Sequence, residues 1–267
     1  MSERRAAAVP GNVQRRFYVR VEAQMNIVAI VQARMESSRL PNKVLMDLGG
    51  ATVLDRVLNR LRRCHLIGNV VVATTTEPTD NVIVEHCESG GIGVFRGSEQ
   101  DVLDRYYQAA THASADVIVR ITSDCPLIDP EVSDATIQEL LDQRADYASN
   151  VLERTYPRGL DTEVMTYKAL ERAWREAQKP YQREHVTPYL YENPRKFTLH
   201  GIKSDVDCSH HRWTLDTAED LHLLRAIYAR FGERDDFDWH EVLRMVEADP
   251  SLAEINRYIN QKAVHER

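Results

Sequence analysis

The amino-acid sequence predicts an α/β fold: a mainly parallel central sheet flanked by helices, with a small insertion. Three observations carry that prediction. Short, uninterrupted apolar runs recur along the first half of the chain, and strands buried on both faces have this signature. Segments with apolar residues at helical spacing separate them. The resulting strand–helix–strand order implies right-handed crossovers, which make the sheet parallel.

Ile27-Val28-Ala29-Ile30-Val31 is the first strand. Thr52 to Cys64 has helical spacing, with Val53, Val57, Leu58 and Leu61 on one face. Val70 to Ala73 is a second buried strand, Asp80 to Cys87 a helix, and Gly93-Val94-Phe95 a short third strand. Asp101 opens a helix carrying Leu103, Tyr106 and Tyr107. Val117-Ile118-Val119 is the fourth strand and runs out at Arg120-Ile121.

The second half is less regular. Ala145 to Ser149 and Leu160 to Met165 read as strands, separated by the turn signal Tyr156-Pro157-Arg158-Gly159. A helix follows from Tyr167 to Ala177, and another from Gln182 to Tyr191 either continues through Pro188 or breaks there. Lys196 to Ile202 is expected to be extended, Thr217 to Phe231 to be a strongly periodic helix, and 238–247 and 251–262 to be helical. The irregular stretch 150–210 is the expected insertion and the place to look for a homodimer arm.

Residues 1–24 stand apart, with Arg4, Arg5, Arg15, Arg16 and Arg20 against Glu3 and Glu22. They are either a disordered basic arm or an upstream-start artefact; disorder is favoured because so few apolar residues have little to bury. The folded domain would then be 25–267. The run Ala6 to Val9 is too short for the core of a secretory signal, and no stretch approaches the roughly 18 apolar residues of a membrane span. A net charge of -7 offers no chain-wide field for nucleic acid, though a mononucleotide needs only a local basic pocket. Cys64, Cys87, Cys125 and Cys208 form no C-x-x-C pair, so they are expected as reduced thiols in a cytoplasmic protein.

The most informative segment follows the first strand: Gln32-Ala33-Arg34-Met35-Glu36-Ser37-Ser38-Arg39-Leu40-Pro41-Asn42-Lys43. Arg34, Arg39 and Lys43 lie beyond the carboxyl end of a buried parallel strand, where open α/β sheets bind ligands. Serine hydroxyls and backbone N–H groups can donate to phosphate oxygens; Arg offers a planar fork and Lys a point charge. Together they can neutralise charge growing on departing pyrophosphate. A solvated loop with scattered charges is the plainer alternative, but joint placement favours phosphate. The Walker pattern is absent.

This loop, read as A-R-M-E-S-S-R-L-P-N-K-V-L, resembles the signature of the cytidylyltransferases that activate 3-deoxy-manno-octulosonate and acylneuraminate. From about Met25 the chain most resembles the spore coat polysaccharide biosynthesis protein F group of that superfamily. The likeness continues through Gly97-Ser98-Glu99-Gln100-Asp101-Val102-Leu103, Arg120-Ile121-Thr122-Ser123-Asp124-Cys125-Pro126-Leu127 and Thr214-Leu215-Asp216-Thr217-Ala218-Glu219-Asp220-Leu221. It implies the Rossmann-like nucleotide-diphospho-sugar transferase fold, CTP as a substrate and Mg2+ as cofactor. One departure is Thr122, where several relatives carry Gln.

Asp124 follows the fourth strand, at the same end of the sheet as the loop. Mg2+ takes hard oxygen ligands, with phosphates and water completing one or two carboxylates, so Asp124 is a candidate ligand. Its alternative is to cap the following helix, for which Asp129 and Pro130 are better placed. Asp216 is the second metal candidate, by the resemblance; its alternative is also an N-cap, and both roles can hold at once. Asp161 and Glu163 lie two apart in an expected strand and so project from one face. They are candidates for binding an acceptor, or for accepting its proton, unless they are a solvated face beside Arg158.

The expected catalytic residues are Arg34, Lys43 and Asp124. Ala33, Arg34, Ser38, Arg39 and Lys43 are expected at the nucleotide, with Thr74 and Thr122 toward the base; Asp161, Glu163 and His185 are expected at the acceptor. Asp205-Val206-Asp207 resembles a glycosyltransferase D-x-D pair, but a lone pair is a weak signal. Cys208-Ser209-His210-His211 lacks a second cluster for zinc. Cys125 reads as a packing residue, and Trp174, Trp213 and Trp239 as core. The expected reaction is transfer of CMP from CTP to an acidic sugar or related acid with release of pyrophosphate, in surface polysaccharide or glycoconjugate biosynthesis. The rivals are a glycosyltransferase of the related fold, which would not need the basic loop, and a non-catalytic nucleotide-binding module, which could dispense with the carboxylates.

Overall fold

The computed structural model describes residues 25–232 and 234–261, so the basic arm expected over 1–24 lies outside the described residues. Ile27–Gln32 forms β1 in the middle of the sheet. Its alternation explains its composition: Ile27, Ala29 and Val31 face one layer of helices, while Val28 and Ile30 face the other. Helix α1 (Val53–Leu61) starts at a capping box in which Thr52 and Asp55 satisfy each other's backbone N–H. Then come β2 (Asn69–Thr75), α2 (Asn81–Ser89), β3 (Gly93–Gly97), α3 (Val102–His112), β4 (Val117–Thr122) and α4 (Pro130–Gln143).

The second half adds β5 (Tyr147–Ser149), β6 (Glu163–Thr166), α5 (Tyr167–Glu176), α6 (Pro180–His185), α7 (Pro188–Tyr191), β7 (Leu199–Gly201), α8 (Ala218–Phe231), α9 (Trp239–Ala248) and α10 (Ser251–Glu254). Among the described residues the sheet has seven strands in the order β3-β2-β1-β4-β6-β5-β7. β1, β2, β3 and β4 run parallel; β6 is antiparallel to both its neighbours, and β5 pairs parallel with β7. The stretch 150–210 thus supplies β6 and β7 to the same sheet. Chain order reverses between β1 and β4, which makes their carboxyl ends the switch point where such sheets open a crevice.

Three expectations shift at their boundaries. The strand expected from Leu160 begins at Glu163, because the Asn150 amide holds Leu160 O at 2.7 Å and Thr162 N at 2.9 Å in place of ladder bonds. The helix expected over Gln182–Tyr191 breaks: Val186 has φ of 73° and Pro188 starts a new helix, as a residue without an N–H must. The last helix ends at Glu254. No described helix is long and apolar enough to cross a membrane.

Arg56 and Arg60 on α1 are buried and hold the chain that leads into α9. Arg56 pairs with Asp235 at 2.9 Å, and Arg60 donates to the carbonyls of Asp235 and Phe237, each at 3.0 Å. This ties α8 and α9 to the open side of the sheet, over a core that includes Trp213, Leu224, Tyr228 and Phe237.

Candidate active site

A cleft of about 890 Å³ lies over the carboxyl ends of β1 and β4. The loop after β1 forms one wall. Its first residue, Ala33, spends its N–H on Ala73 O, and Met35 N donates to the buried Asp80 carboxylate at 2.7 Å. Asn42 takes a left-handed conformation, φ 61°, and donates its N–H to Met35 O at 3.0 Å, folding the loop back on itself. Asn tolerates that region better than most residues. The fold-back brings Lys43 in beside Arg39.

Lys43 Nζ donates to Asp124 Oδ2 at 3.1 Å, Asp216 Oδ1 at 2.9 Å and Leu215 O at 2.7 Å. Burial pulls the ammonium pKa down, but Asp124 and Asp216 outweigh it and hold it above its ordinary value. Asp216 also meets Arg39 at 3.0 Å and Arg212 at 2.9 Å. Burial raises its pKa, and Lys43, Arg39 and Arg212 more than reverse that, so it stays ionised below the usual carboxylate range. Asp216 does not cap α8: Thr217 does, and Asp220 accepts from the N–H groups of Asp216 and Thr217. Nor does Asp124 cap α4, since Asp129 accepts from Glu131 N and Val132 N. Asp124 instead accepts from Lys43 and from the Thr122 hydroxyl, and its carbonyl accepts from Leu215 N.

The structure therefore brings Ala33, Arg34, Ser38, Arg39, Lys43, Thr122, Asp124, Asp161, His185 and Asp216 to one cleft. Two expected residues are elsewhere. Thr74 is fully buried and donates to Asp80 at 3.0 Å, so it cannot reach a base from there. Glu163 is buried beneath the floor, ion-paired with Arg120 and accepting from Tyr147 at 2.5 Å. Asp161 and Glu163 do not share an open strand face: Asp161 precedes β6, and Arg154 grips it through two bonds of 2.6 and 2.8 Å. Each carboxylate has its own arginine, which relieves their repulsion without a ligand.

Sequence reasoning passed over Arg105, Arg120 and Gln32, all of which line the cleft. For Arg120 a signal existed: a cation at an inward position of an apolar strand needs a partner or a task. Asp205 and Asp207 lie outside the cleft on exposed chain, and Asp207 caps Ser209 N. Among the described residues no group of three His, Cys, Asp or Glu forms a metal cage, and the rings of His210 and His211 lie 4.0 Å apart at a tilt of 40°. Burial and then Asp124 push the Cys125 thiol well above its ordinary pKa, so it packs rather than attacks.

Comparison with known proteins now bears on this geometry. A family model described as cytidylyltransferase matches residues 28–240. An uncharacterized protein of Methanocaldococcus jannaschii is 41% identical over 244 residues, 91% of this chain and 99% of its own length. The spore coat polysaccharide biosynthesis protein SpsF of Bacillus subtilis is 35% identical over 235 residues, 85% of this chain and 97% of its own. A solved cytidylyltransferase from Leptospira borgpetersenii superposes with a TM-score of 0.83 at 35% identity, covering 90% of this chain and all of that one.

Proposed function

Since the chain belongs to the cytidylyltransferase family, we propose that it transfers CMP from CTP to an acidic sugar or related acid, for surface polysaccharide or glycoconjugate synthesis. The observation that carries this is the junction of Lys43 with Asp124 and Asp216 at the mouth of the sheet. An oxygen of the acceptor attacks the α-phosphorus of CTP as the bond to pyrophosphate breaks, giving the CMP ester, pyrophosphate and a proton. The protein's part is positioning and charge. Arg34, Arg39 and Lys43 neutralise the triphosphate and the negative charge that accumulates on the leaving side.

The groups that accept from Lys43 Nζ are all oxygens: two carboxylates and a backbone carbonyl. That set suits a hard cation such as Mg2+, which takes one or two protein carboxylates and leaves the rest to phosphate and water. Asp124 and Asp216 would hold it, and bound there it would polarise phosphate oxygens. The acidic acceptor is supported by cations beyond those the triphosphate needs. Arg158 lines the cleft without an ion pair among the described residues, and burial and then Arg154 lower its pKa, so an incoming carboxylate would relieve it.

The test is pyrophosphate release, crossing four nucleotides with a panel of acidic sugars. The expected outcome is release from CTP that requires both a divalent cation and one class of acid. Release from a nucleotide sugar instead, or CTP binding without turnover against any acid, would remove the proposal.

A further inference from the structure

Gln32 ends β1 directly opposite Thr122 of β4 in the parallel register, so both side chains sit on the cleft floor and on the same face. Thr122 is committed, since its hydroxyl donates to Asp124. Gln32 is held on one side only. Its Oε1 accepts from Arg120 Nη2 at 3.2 Å, and its Nε2 makes no hydrogen bond among the described residues.

The polarity of this arrangement is fixed. A guanidinium only donates, so the amide oxygen must face Arg120 and the two N–H groups must face the cleft. Arg120 is itself oriented from below. Its Nη1 donates to Glu163 Oε2, and Glu163 Oε1 accepts from the Tyr147 hydroxyl at 2.5 Å. Burial and then Glu163 hold that hydroxyl well above its ordinary pKa, so it stays a donor. Burial lowers the Arg120 pKa and Glu163 more than restores it, so Arg120 stays charged. Tyr147, Glu163, Arg120 and Gln32 form a chain in which each group has one possible direction.

On the CTP reading, the loop that starts immediately after Gln32 takes up the triphosphate and leaves the rest of the floor, with Gln32 on it, to the nucleoside. Cytosine presents acceptors at N3 and O2, while uracil presents an N–H at N3. An outward-facing amide N–H2 placed at N3 pairs with cytosine and meets the N3–H donor of uracil head-on. We propose that Gln32 selects cytosine over uracil, with Arg120, Glu163 and Tyr147 as positioning residues that set its amide. This inference rests on the CTP reading above and assigns the base specificity within it.

The test measures CTP and UTP affinities of the full chain by calorimetry, with Mg2+ present. The wild type should prefer CTP by about 10- to 100-fold, the range of a well-placed polar base contact. Gln32→Leu removes the donors and should bring the ratio within about threefold of unity, with UTP affinity retained through the triphosphate. Gln32→Glu keeps an oxygen toward Arg120 but turns an acceptor to the base, so preference should move toward UTP. Because that variant keeps the buried bond, it tests the idea even if Gln32→Leu folds poorly. Wild-type preference surviving in both variants would overturn the assignment to Gln32 while leaving the CTP reading intact. A wild type that binds UTP as well as CTP would overturn the cytosine preference itself, and this inference with it.

Discussion

Lys43 and Asp216 meet at 2.9 Å across 173 residues of chain. Their ion pair closes the cleft between the loop after β1 and the segment that leads into α8, and Asp124 joins it from the end of β4. The charges that would serve catalysis therefore also hold the site together.

Asp124→Asn should abolish turnover while CTP still binds weakly. The neutral amide leaves Lys43 one carboxylate short and weakens any hold on a divalent cation. A fall in pyrophosphate release of at least about 10²- to 10³-fold is expected, the scale on which a direct electrostatic contact matters. Full activity of the variant at saturating Mg2+ would remove Asp124 from the mechanism.

Lys43→Met should lower both activity and stability. Breaking a buried pair by deleting one partner costs about 3–5 kcal/mol. Asp216 keeps Arg39 and Arg212, so the loss should fall at the low end, about 3 kcal/mol. Urea unfolding without divalent cation measures it; an unchanged midpoint would mean the pair holds nothing.

Gly159→Ala should destabilise the protein and loosen the cleft. Gly159 has φ of +111°, and a Cβ there would lie 2.6 Å from the Trp213 carbonyl carbon. No rotamer relieves a clash with backbone, so a loss of about 3 kcal/mol is expected, from strain of about 1–3 kcal/mol plus the overlap. The displaced backbone would be that of Trp213 and Thr214, and Thr214 lines the cleft. Thermal unfolding and CTP affinity should therefore fall together.

Stability should also fall between neutral and mildly acidic pH through His211. Burial and then His210 lower its pKa from 6.5 to about 4. The unfolded chain then binds the proton first. The contribution is complete above pH 6.5 and is lost as pH falls toward about 4. Comparing urea midpoints at pH 7.5, about one unit above this window, and at pH 5.0, inside it, His211→Phe should show a shallower decline than wild type. Identical declines would place the titration elsewhere.

Much of the fold was legible from pattern. The apolar runs marked β1, β2 and β4, since strands buried on both faces have no polar alternation to hide them. The periodicity of Val53, Val57, Leu58 and Leu61 marked α1 for the same reason in helical form. Short elements were less legible. β6 starts late because a side-chain amide from Asn150 replaces backbone pairing, and no local propensity reports such a long-range substitution.

The sequence by itself determined that a basic loop follows the first strand and that Asp124 follows the fourth, because spacing along the chain fixes which end of a parallel strand a residue leaves from. Only the tertiary structure decided that Lys43 bridges Asp124 to Asp216, that Thr74 is spent on Asp80 and Glu163 on Arg120, and that Gln32 offers the cleft a free N–H donor while the Thr122 hydroxyl is spent on Asp124. Apolar pattern states which face of an element is buried. Which polar groups satisfy one another depends on strand order and register, and those are set by the packing of the whole sheet.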